Sequence, residues 1–399
     1  MDGDSGVAMD KASSRRLVLP SLIFSAFATY PMSIVSNLLL VEMSLAFGQP
    51  VGVMSQMRTL SFTVGFLSAL AMGALSVRFS PKTLLLSGLL LLSTSALGCG
   101  LSLSLPMLFI LFAISGLGTS MVEPMTSTLV AEHYPVEERP RVIGWIGAGG
   151  GLSYIVGGSV VGYIAILGGW RMAFLGYAML LPLIGFIIIS KGIPSANRGP
   201  RHNGVNVTEG FRVILSNRSA VACLLGNLLA SAAGQGIYVF SFSFLKEVHI
   251  ATPGWTATIF TTASVCFFLG SLVCGWLVER LGRKTATTSA LLLASLFTGL
   301  YANLPDLGTV EALILLGHFF LAIQYSAASS LSLEQVPRFR GTMMSLNSAS
   351  AYIGYALGTG VGGLALLRSG WEMLSAVLGA MFIASVVIYH LARDPTRDP

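Results

Sequence analysis

Charge is scarce in this chain of 399 residues: Asp, Glu, Lys and Arg together make up only 10% of it. A soluble domain carries about 25% of these residues. With 54% apolar residues and a mean hydropathy of +0.77, the chain has too little polar surface to meet water on all sides. The composition therefore excludes an ordinary soluble protein and indicates one whose solvent is largely lipid.

Sites for bound groups are also missing from the sequence. Four cysteines lie inside or at the edge of apolar runs, where they are expected to be small buried side chains, and their spacing suits neither a disulfide framework nor a metal. They are Cys99, Cys223, Cys266 and Cys274. No phosphate-binding Gly-Lys-Ser/Thr loop occurs, and no cluster of His, Asp or Glu marks a catalytic centre. We therefore expect no cofactor, no metal and no enzymatic activity.

Long apolar runs are what the sequence does contain. A helix needs about 20 apolar residues to cross a bilayer core of about 30 Å, whereas barrel strands are shorter and alternate in polarity. We predict an all-α integral membrane protein with twelve spans. Their ranges are 17–44, 51–77, 83–104, 107–131, 142–167, 171–192, 217–245, 252–278, 285–304, 309–333, 342–367 and 372–392.

Lys and Arg are concentrated in alternate breaks between these runs. With the N-terminus placed in the cytoplasm, 19 of the 23 fall on the cytoplasmic side, which is where positive charge accumulates in membrane proteins. We therefore predict a multi-pass protein of the cell membrane with both termini in the cytoplasm. The longest polar break, 193–216, is predicted to link two six-helix halves, 1–192 and 217–399. The basic residues form no patch suited to nucleic acid.

The sequence repeats itself at half its length. A shift of 202 residues aligns GALSVRFSPK at 73–82 with GWLVERLGRK at 275–284. A shift of 201 places Tyr154, Gly157, Gly162 and Trp170 on Tyr355, Gly358, Gly363 and Trp371. This near-constant offset predicts duplication of a six-helix unit. Parallel repeats of this kind are one plan of membrane transporters, with the substrate site between the halves near the midplane.

GWLVERLGRK resembles the loop motif of the major facilitator superfamily, Gly-x-Leu-x-Asp-Arg-x-Gly-Arg-Lys/Arg. In the first copy Val77 replaces the acid, while Ser80 and Pro81 replace Gly and Arg. The segments AEHYPVEERPRVIGW, GGWRMAF, EQVPRFRGTMMS and SGWEML are also similar to this family, so the resemblance covers nearly the whole chain. It implies alternating access by rocking of the two halves, with the loop as a cytoplasmic gate. The gate residues would be Gly73, Arg78, Lys82, Gly275, Glu279, Arg280, Gly282 and Arg283. The alternative is that these charges only set the topology.

The fifth span contains GAGGGLSYIVGGSVVG, at 147–162. This stretch resembles the antiporter motif of the same family, although Gly157-Gly158 stands where that motif has Gly-Pro and Val161-Gly162 where it has Gly-Gly. Small residues at such spacing also allow helices to pack backbone to backbone in lipid. The stretch therefore favours antiport or close packing.

Glu123 is an ionisable residue deep in the fourth span, about 6 Å from the midplane at 1.5 Å per residue. A charge there costs at least about 2.5–3.5 kcal/mol, so its presence requires a reason. Ser120 and Ser127 lie on its helix face, and Pro124 frees a carbonyl beside it. We predict that Glu123 takes up and releases a proton; the alternative is a carboxyl that is permanently protonated or tied to a neighbouring hydroxyl.

Two further charges lie towards the outer ends of the first spans. Arg58 is expected about 9 Å above the midplane, where it could bind an anionic substrate, balance Glu123 or extend to the lipid headgroups. Glu42 is expected at the outer interface, with pairing to Arg58 as the alternative.

The resemblance implies that spans 1, 4, 7 and 10 line the central cavity. Besides Glu123 and Arg58, the candidate substrate-binding residues are Tyr30, Asn37, Asn227, Gln235, Tyr238, His318, Gln324 and Tyr325, although each could instead make an ordinary interhelical hydrogen bond. The family's arginine on span 4 is Phe112 here, which puts any mechanism that needs that arginine in doubt.

These observations predict a monomeric secondary transporter whose partners are a small molecule, protons and the lipid bilayer. Because the candidate cavity carries few charges, the expected function is proton-coupled export of small amphiphilic or apolar compounds. The alternative is proton-coupled uptake of a sugar or an organic anion, with Arg58 facing the anion. A membrane enzyme or receptor is a third possibility, without catalytic clusters or an extramembrane domain to support it.

Overall fold

The computed structural model describes residues 17–135, 138–194 and 207–394, and within these ranges every regular element is a helix. In chain order the α-helices are α1 (Leu17–Leu38), α2 (Leu40–Phe47), α3 (Val51–Met54), α4 (Gln56–Arg78), α5 (Pro81–Leu101), α6 (Leu105–His133), α7 (Arg139–Ala173), α8 (Leu180–Gly192), α9 (Val207–Ser216), α10 (Arg218–Glu247), α11 (Pro253–Leu281), α12 (Arg283–Leu300), α13 (Leu307–Glu334) and α14 (Arg340–His390). One π-turn, Phe174–Ala178, joins α7 to α8.

Nine helical segments in the described part of the chain are long and apolar enough to cross a membrane. Two of them, Arg141–Gly192 and Pro337–His390, have 52 and 54 residues, about twice the length that one crossing needs. Large apolar side chains are also exposed on helix surfaces, among them Leu272 at 62% and Val387 at 62%. Exposure on this scale suits lipid rather than water.

The two double-length segments each turn at a glycine. Gly169 has φ 73° and Gly370 has φ 78°, a backbone region in which side chains other than glycine are strained. Beyond Gly169 the chain folds back: Tyr177 Oη donates to the carbonyl oxygen of Ser153, which lies before the turn, over 3.3 Å. In a straight helix these two residues would lie about 36 Å apart.

The chain divides into two compact units. Unit 1 comprises Met1–Leu39 and Val64–Arg201, and unit 2 comprises Leu40–Thr63 and His202–Pro399. The segment 40–63 therefore belongs with the second half of the sequence. Residues 195–206 of the predicted linker lie outside the described residues. The rest of the linker's C-terminal part, 207–216, forms α9.

Glycines bring helices of each unit into backbone contact. In unit 1, a Cβ added at Gly149 on α7 would lie 2.7 Å from the carbonyl oxygen of Ile23 on α1. In unit 2, a Cβ at Gly358 on α14 would overlap the carbonyl oxygen of Ala232 on α10. Glycines of the fifth and eleventh predicted spans thus allow close packing, which is one of the two interpretations of the glycine-rich stretch at 147–162.

Candidate functional site

In unit 1 the carboxyl group of Glu123 meets the phenol of Tyr30. Tyr30 Oη donates to Glu123 Oε1 over 3.1 Å, although the residues are 93 positions apart. Tyr30 stands at the bend of α1 just before Pro31, and Glu123 is an exposed residue of α6. The ring of Tyr154 on α7 packs against Tyr30, with centroids 5.3 Å apart. Two residues singled out in the sequence thus form one site, together with a tyrosine that was not predicted to belong to it.

This pairing suits a carboxyl that changes its protonation state. As a carboxylate, Glu123 accepts the Tyr30 hydroxyl hydrogen, and as a neutral acid it still offers an acceptor oxygen to the same donor. The nearby hydroxyls of Ser120 and Ser127 donate instead to the main-chain carbonyls of Leu117 and Glu123. The phenol contact is therefore compatible with either protonation state of Glu123.

Two further predicted residues, His318 and Tyr238, pack against each other in unit 2. His318 is fully buried, with its ring centroid 4.8 Å from that of Tyr238 and 5.8 Å from that of Phe242. Its Nδ1 lies 2.8 Å from the carbonyl oxygen of Ile314, which places the proton on Nδ1 and leaves a lone pair on Nε2. Among the described residues, neither His318 Nε2 nor the buried side-chain nitrogen of Gln235 has a hydrogen-bond partner. His318 is therefore part of the packed interior of unit 2, where its neighbouring rings and its Nδ1 hydrogen bond hold it in place.

The other predicted cavity residues have varied surroundings. Asn227 donates from Nδ2 to the carbonyl oxygen of Asn347 over 2.9 Å and to Ser350 Oγ over 3.0 Å, so it joins α10 to α14. Asn37 and Gln324 are buried, whereas the side chain of Tyr325 is 52% exposed. Asn227 thus makes the kind of interhelical bond that the sequence had left as the alternative to ligand binding.

Arg58 lies inside unit 2 against aromatic rings. Its side chain is buried at 4% exposure, so it does not extend to lipid headgroups. The guanidinium carbon lies 4.6 Å from the centroid of Phe62, within the range of a cation–π interaction. The ring of Phe62 in turn packs against Tyr355 at 5.2 Å and Tyr352 at 6.5 Å between centroids.

Glu42 has a different partner from the one considered for it. Glu42 pairs with Lys246, a residue at the end of α10 with a side chain that is 6% exposed. Its ion-pair partner is therefore Lys246 and not Arg58. Thr59 and Thr359 also share a hydrogen bond of 2.8 Å within unit 2. The segment 40–63 is therefore held to α10 and α14 by polar contacts as well as packing.

The first copy of the loop motif fastens helix ends within unit 1. Gly73 lies inside α4, and the exposed Arg78 is the last residue of that helix. Lys82 donates from Nζ to the carbonyl oxygens of Ser190 and Ile193, at 2.8 and 2.5 Å, where α8 ends. A cation at these carbonyls satisfies acceptors that the helix itself leaves unpaired.

The second copy makes related contacts within unit 2. Gly275 and Glu279 are exposed on α11, and the guanidinium of Arg280 lies 4.3 Å from the ring centroid of Trp276. Lys284 donates from Nζ to the carbonyl oxygen of His390 over 2.8 Å.

The other two residues of this copy that were predicted to form a gate, Gly282 and Arg283, lie at the start of α12. Gly282 has φ 85°, and Arg283 donates from Nε to Ser330 Oγ over 2.8 Å. The main-chain N–H groups of Arg283 and Lys284 donate to Asp394 Oδ2 at 2.9 and 3.3 Å.

Sequence reasoning missed several of these partners. Lys246 and Asp394 gave no signal, because they lie 204 and 111 positions from Glu42 and Arg283. Tyr154 and Tyr355 did give one, since they are matching positions of the repeat and both pack against rings of the candidate sites. A search for aromatic residues shared by the two repeats could have found them.

Comparison with known proteins identifies the family. The model of the Major Facilitator Superfamily matches residues 21–252 and 228–399. Among curated relatives, the cis,cis-muconate transport protein of Acinetobacter baylyi is 24% identical over 81% of both chains, and Multidrug resistance protein 2 of Bacillus subtilis is 22% identical over 72% of this chain and 73% of its own. A solved structure, a bacterial homologue of the human lysosomal transporter Spinster in an inward-facing and unoccupied conformation, matches with a TM-score of 0.75 at 16% identity, over 94% of this chain and 95% of its own. The chain belongs to the Major Facilitator Superfamily and is a multi-pass membrane transporter.

Proposed function

We propose that this member of the superfamily is a proton-coupled secondary transporter that exports small amphiphilic or apolar compounds by antiport. The observation that carries the proposal is the contact of Tyr30 with the exposed carboxyl of Glu123. An ionisable group within a membrane helix is a candidate proton carrier. The small number of charges among the candidate cavity residues favours a substrate that is mostly apolar.

The proposed transporter is a monomer with twelve spans and both termini in the cytoplasm. The segment 193–216 separates its two six-helix halves. The turns at Gly169 and Gly370 support this number, because each divides a double-length helix into two. The helix α4, with 23 residues, is long enough for one further crossing. The distribution of Lys and Arg supports the orientation.

Alternating access would require contacts that break and re-form. The pair Glu42–Lys246 and the bond Thr59–Thr359 are suited to this role, because they are polar and join the segment 40–63 to helices from the second half of the sequence. The gate residues of the two loop motifs would act on the cytoplasmic side, as the family resemblance implies.

Transport in liposomes with an internal pH dye would test the proton role. An imposed pH gradient and a panel of amphiphilic cations, sugars and organic anions first identify a substrate and the direction of proton movement. We expect Glu123→Gln to abolish gradient-driven flux while substrate counterflow remains, because a neutral amide cannot carry the proton. Glu132→Gln, the same substitution on the same helix, is the matched control and should transport normally. Undiminished driven flux in Glu123→Gln would overturn the proposal.

Uptake of an organic anion is the second candidate function, and the position of Arg58 favours it. The buried guanidinium of Arg58 lies beside Phe62, whose ring packs against Tyr352 and Tyr355. This arrangement offers a charge for a carboxylate and rings for a conjugated chain. The relative named as a cis,cis-muconate transport protein supports the same substrate class.

Muconate is a suitable probe for separating the two candidates. Under the uptake function, protons move in the same direction as muconate, and Arg58→Gln reduces muconate flux at least tenfold while Arg58→Lys retains part of it. Proton movement opposite to an amphiphile, with no response to muconate, would exclude this candidate and support export.

A further inference from the structure

Helix α9 has an apolar flank that the rest of unit 2 does not cover. Its inward face is formed by Gly210 and Ile214, and Ile214 is completely buried. Phe211 and Leu215, one helical turn apart, remain 37% and 59% exposed. We propose that this flank of Phe211 and Leu215 inserts into the headgroup layer of the membrane and that it binds anionic lipid there.

The position of α9 along the chain puts this flank at the membrane surface. The helix ends at Ser216, and Asn217 starts the membrane-crossing helix α10 with an extended backbone. Its Oδ1 accepts the N–H groups of Ser219 and Ala220 at 3.0 and 3.2 Å, which begins a separate helix at this point. Because α10 is long and apolar enough to cross a membrane from Arg218 onward, an apolar flank just before it would lie level with the headgroups.

Contacts with the turn before α14 hold α9 in place. A Cβ added at Gly210 would lie 3.0 Å from Phe339 and 3.1 Å from Thr342, so the two segments are closely packed. Glu209 also pairs with Arg338 at 3.2 Å. A helix fixed on its inner side presents its outer flank in a constant direction, as a lipid-binding surface requires.

The charges next to the flank fit an anionic headgroup. Arg212 follows Phe211 directly and Arg218 follows Leu215 by three residues, and both are exposed. The one acid of α9, Glu209, is already paired with Arg338, so the charge next to the flank is positive. Cations beside an inserted apolar flank are the usual features of a helix that binds anionic membranes.

Site-specific labelling in lipid nanodiscs would test the proposal. A fluorophore attached to Leu215→Cys is compared with one at Ser216→Cys, the adjacent residue on the polar face. Cys266→Ala serves as the background, because the other three cysteines are buried. Nanodiscs of phosphatidylcholine are compared with nanodiscs that also contain phosphatidylglycerol, and both labelled proteins must elute as single species.

We expect nitroxide lipids to quench the label at 215 several-fold more than the label at 216. Phosphatidylglycerol should increase quenching at 215, and Arg212→Gln should remove that increase. Equal quenching at both positions would show that the flank does not enter the bilayer. Protection at 215 from both lipid and aqueous quenchers would show that protein covers it, and quenching indifferent to phosphatidylglycerol would overturn the binding of anionic lipid. None of these readouts depends on the direction or coupling of transport.

Discussion

The two copies of the loop motif satisfy the same physical requirement by different means. The first N–H groups of a helix have no partner within it. At α5, Ser80 Oγ accepts the N–H of Thr83 over 3.1 Å and Pro81 occupies the first helical position, where no N–H is needed. At α12, Gly282 has no side chain to offer, and Asp394 supplies a carboxylate from 111 positions away. The Ser-Pro sequence of the first copy therefore replaces a remote cap with a local one.

What the two copies share is the lysine that follows. Lys82 contacts the carbonyl end of α8, and Lys284 contacts the carbonyl oxygen of His390 at the end of α14. In each unit the loop thus fastens the last long helix of its repeat. The comparison shows that a poor match to the motif can preserve the contact while changing how the helix is capped.

Removing the remote cap is expected to have the largest effect. Asp394 is buried at 3% exposure, and Asp394→Ala leaves the N–H groups of Arg283 and Lys284 without their carboxylate. A hydrogen bond to a charged group contributes about 1.5–3 kcal/mol to stability. Loss of a local serine cap costs about 1 kcal/mol. Thermal unfolding in detergent should therefore show a larger fall in Tm for Asp394→Ala than for Ser80→Ala. Equal shifts would contradict the distinction between the caps.

The two glycines of the second copy, Gly275 and Gly282, are expected to respond to alanine in opposite ways. Gly282→Ala should destabilise by about 1–3 kcal/mol, because φ 85° and ψ 161° are strained for any residue with a Cβ. A Cβ added at Gly275 meets nothing within 4 Å, so Gly275→Ala should be neutral or stabilise α11 by up to about 1 kcal/mol. Thermal unfolding compares the two variants directly. A loss of stability in Gly275→Ala would mean that this glycine has a role the structure does not explain.

Replacement of Lys82 or Lys284 is expected to lower Tm by a smaller amount, and the two variants should differ. Lys82 donates to two carbonyl oxygens and Lys284 to one. A cation at a helix C-terminus contributes about 0.3–1 kcal/mol when exposed and up to about 2 kcal/mol when partly buried. Lys82→Met should therefore lower Tm more than Lys284→Met does, and both should lower it less than Asp394→Ala. The reverse order would show that the shared contact matters differently in the two units.

The same contrast between local and remote partners explains what could be predicted from the sequence. Hydropathy predicted an all-helical membrane protein, because every span must meet lipid wherever its partners lie. Glu123 and Tyr30 were both named as candidates, but nothing in the sequence indicated that they touch. Glu42 was expected at the outer interface, with Arg58 as an alternative partner. Its partner in the structure, Lys246, was not predicted, because it is 204 positions distant. Contacts between distant segments depend on helix rotation, which periodicity in a span apolar all round does not define.

The smallest change in stability is expected from neutralising Asp306, a local acidic cap in the second half. At the start of α13, Asp306 Oδ2 accepts both the hydroxyl and the N–H of Thr309, at 2.6 and 2.8 Å. The Thr309 hydroxyl, followed by its N–H, holds the pKa of Asp306 below its usual range. A carboxyl whose pKa is lower in the folded state stabilises the protein above its unfolded pKa, and this stabilisation is lost as the pH falls through the folded pKa.

The difference in Tm between the wild type and Asp306→Asn should accordingly stay constant from neutral pH down to about pH 5 and narrow only below about pH 4, near the ordinary pKa of an aspartate. Asn retains a side-chain oxygen that can cap the helix, so the comparison isolates the charge. A difference that disappears already near pH 6 would show that the charge of Asp306 does not stabilise α13. The cap of α13 would then depend on its side-chain oxygen alone, as the serine cap of α5 does.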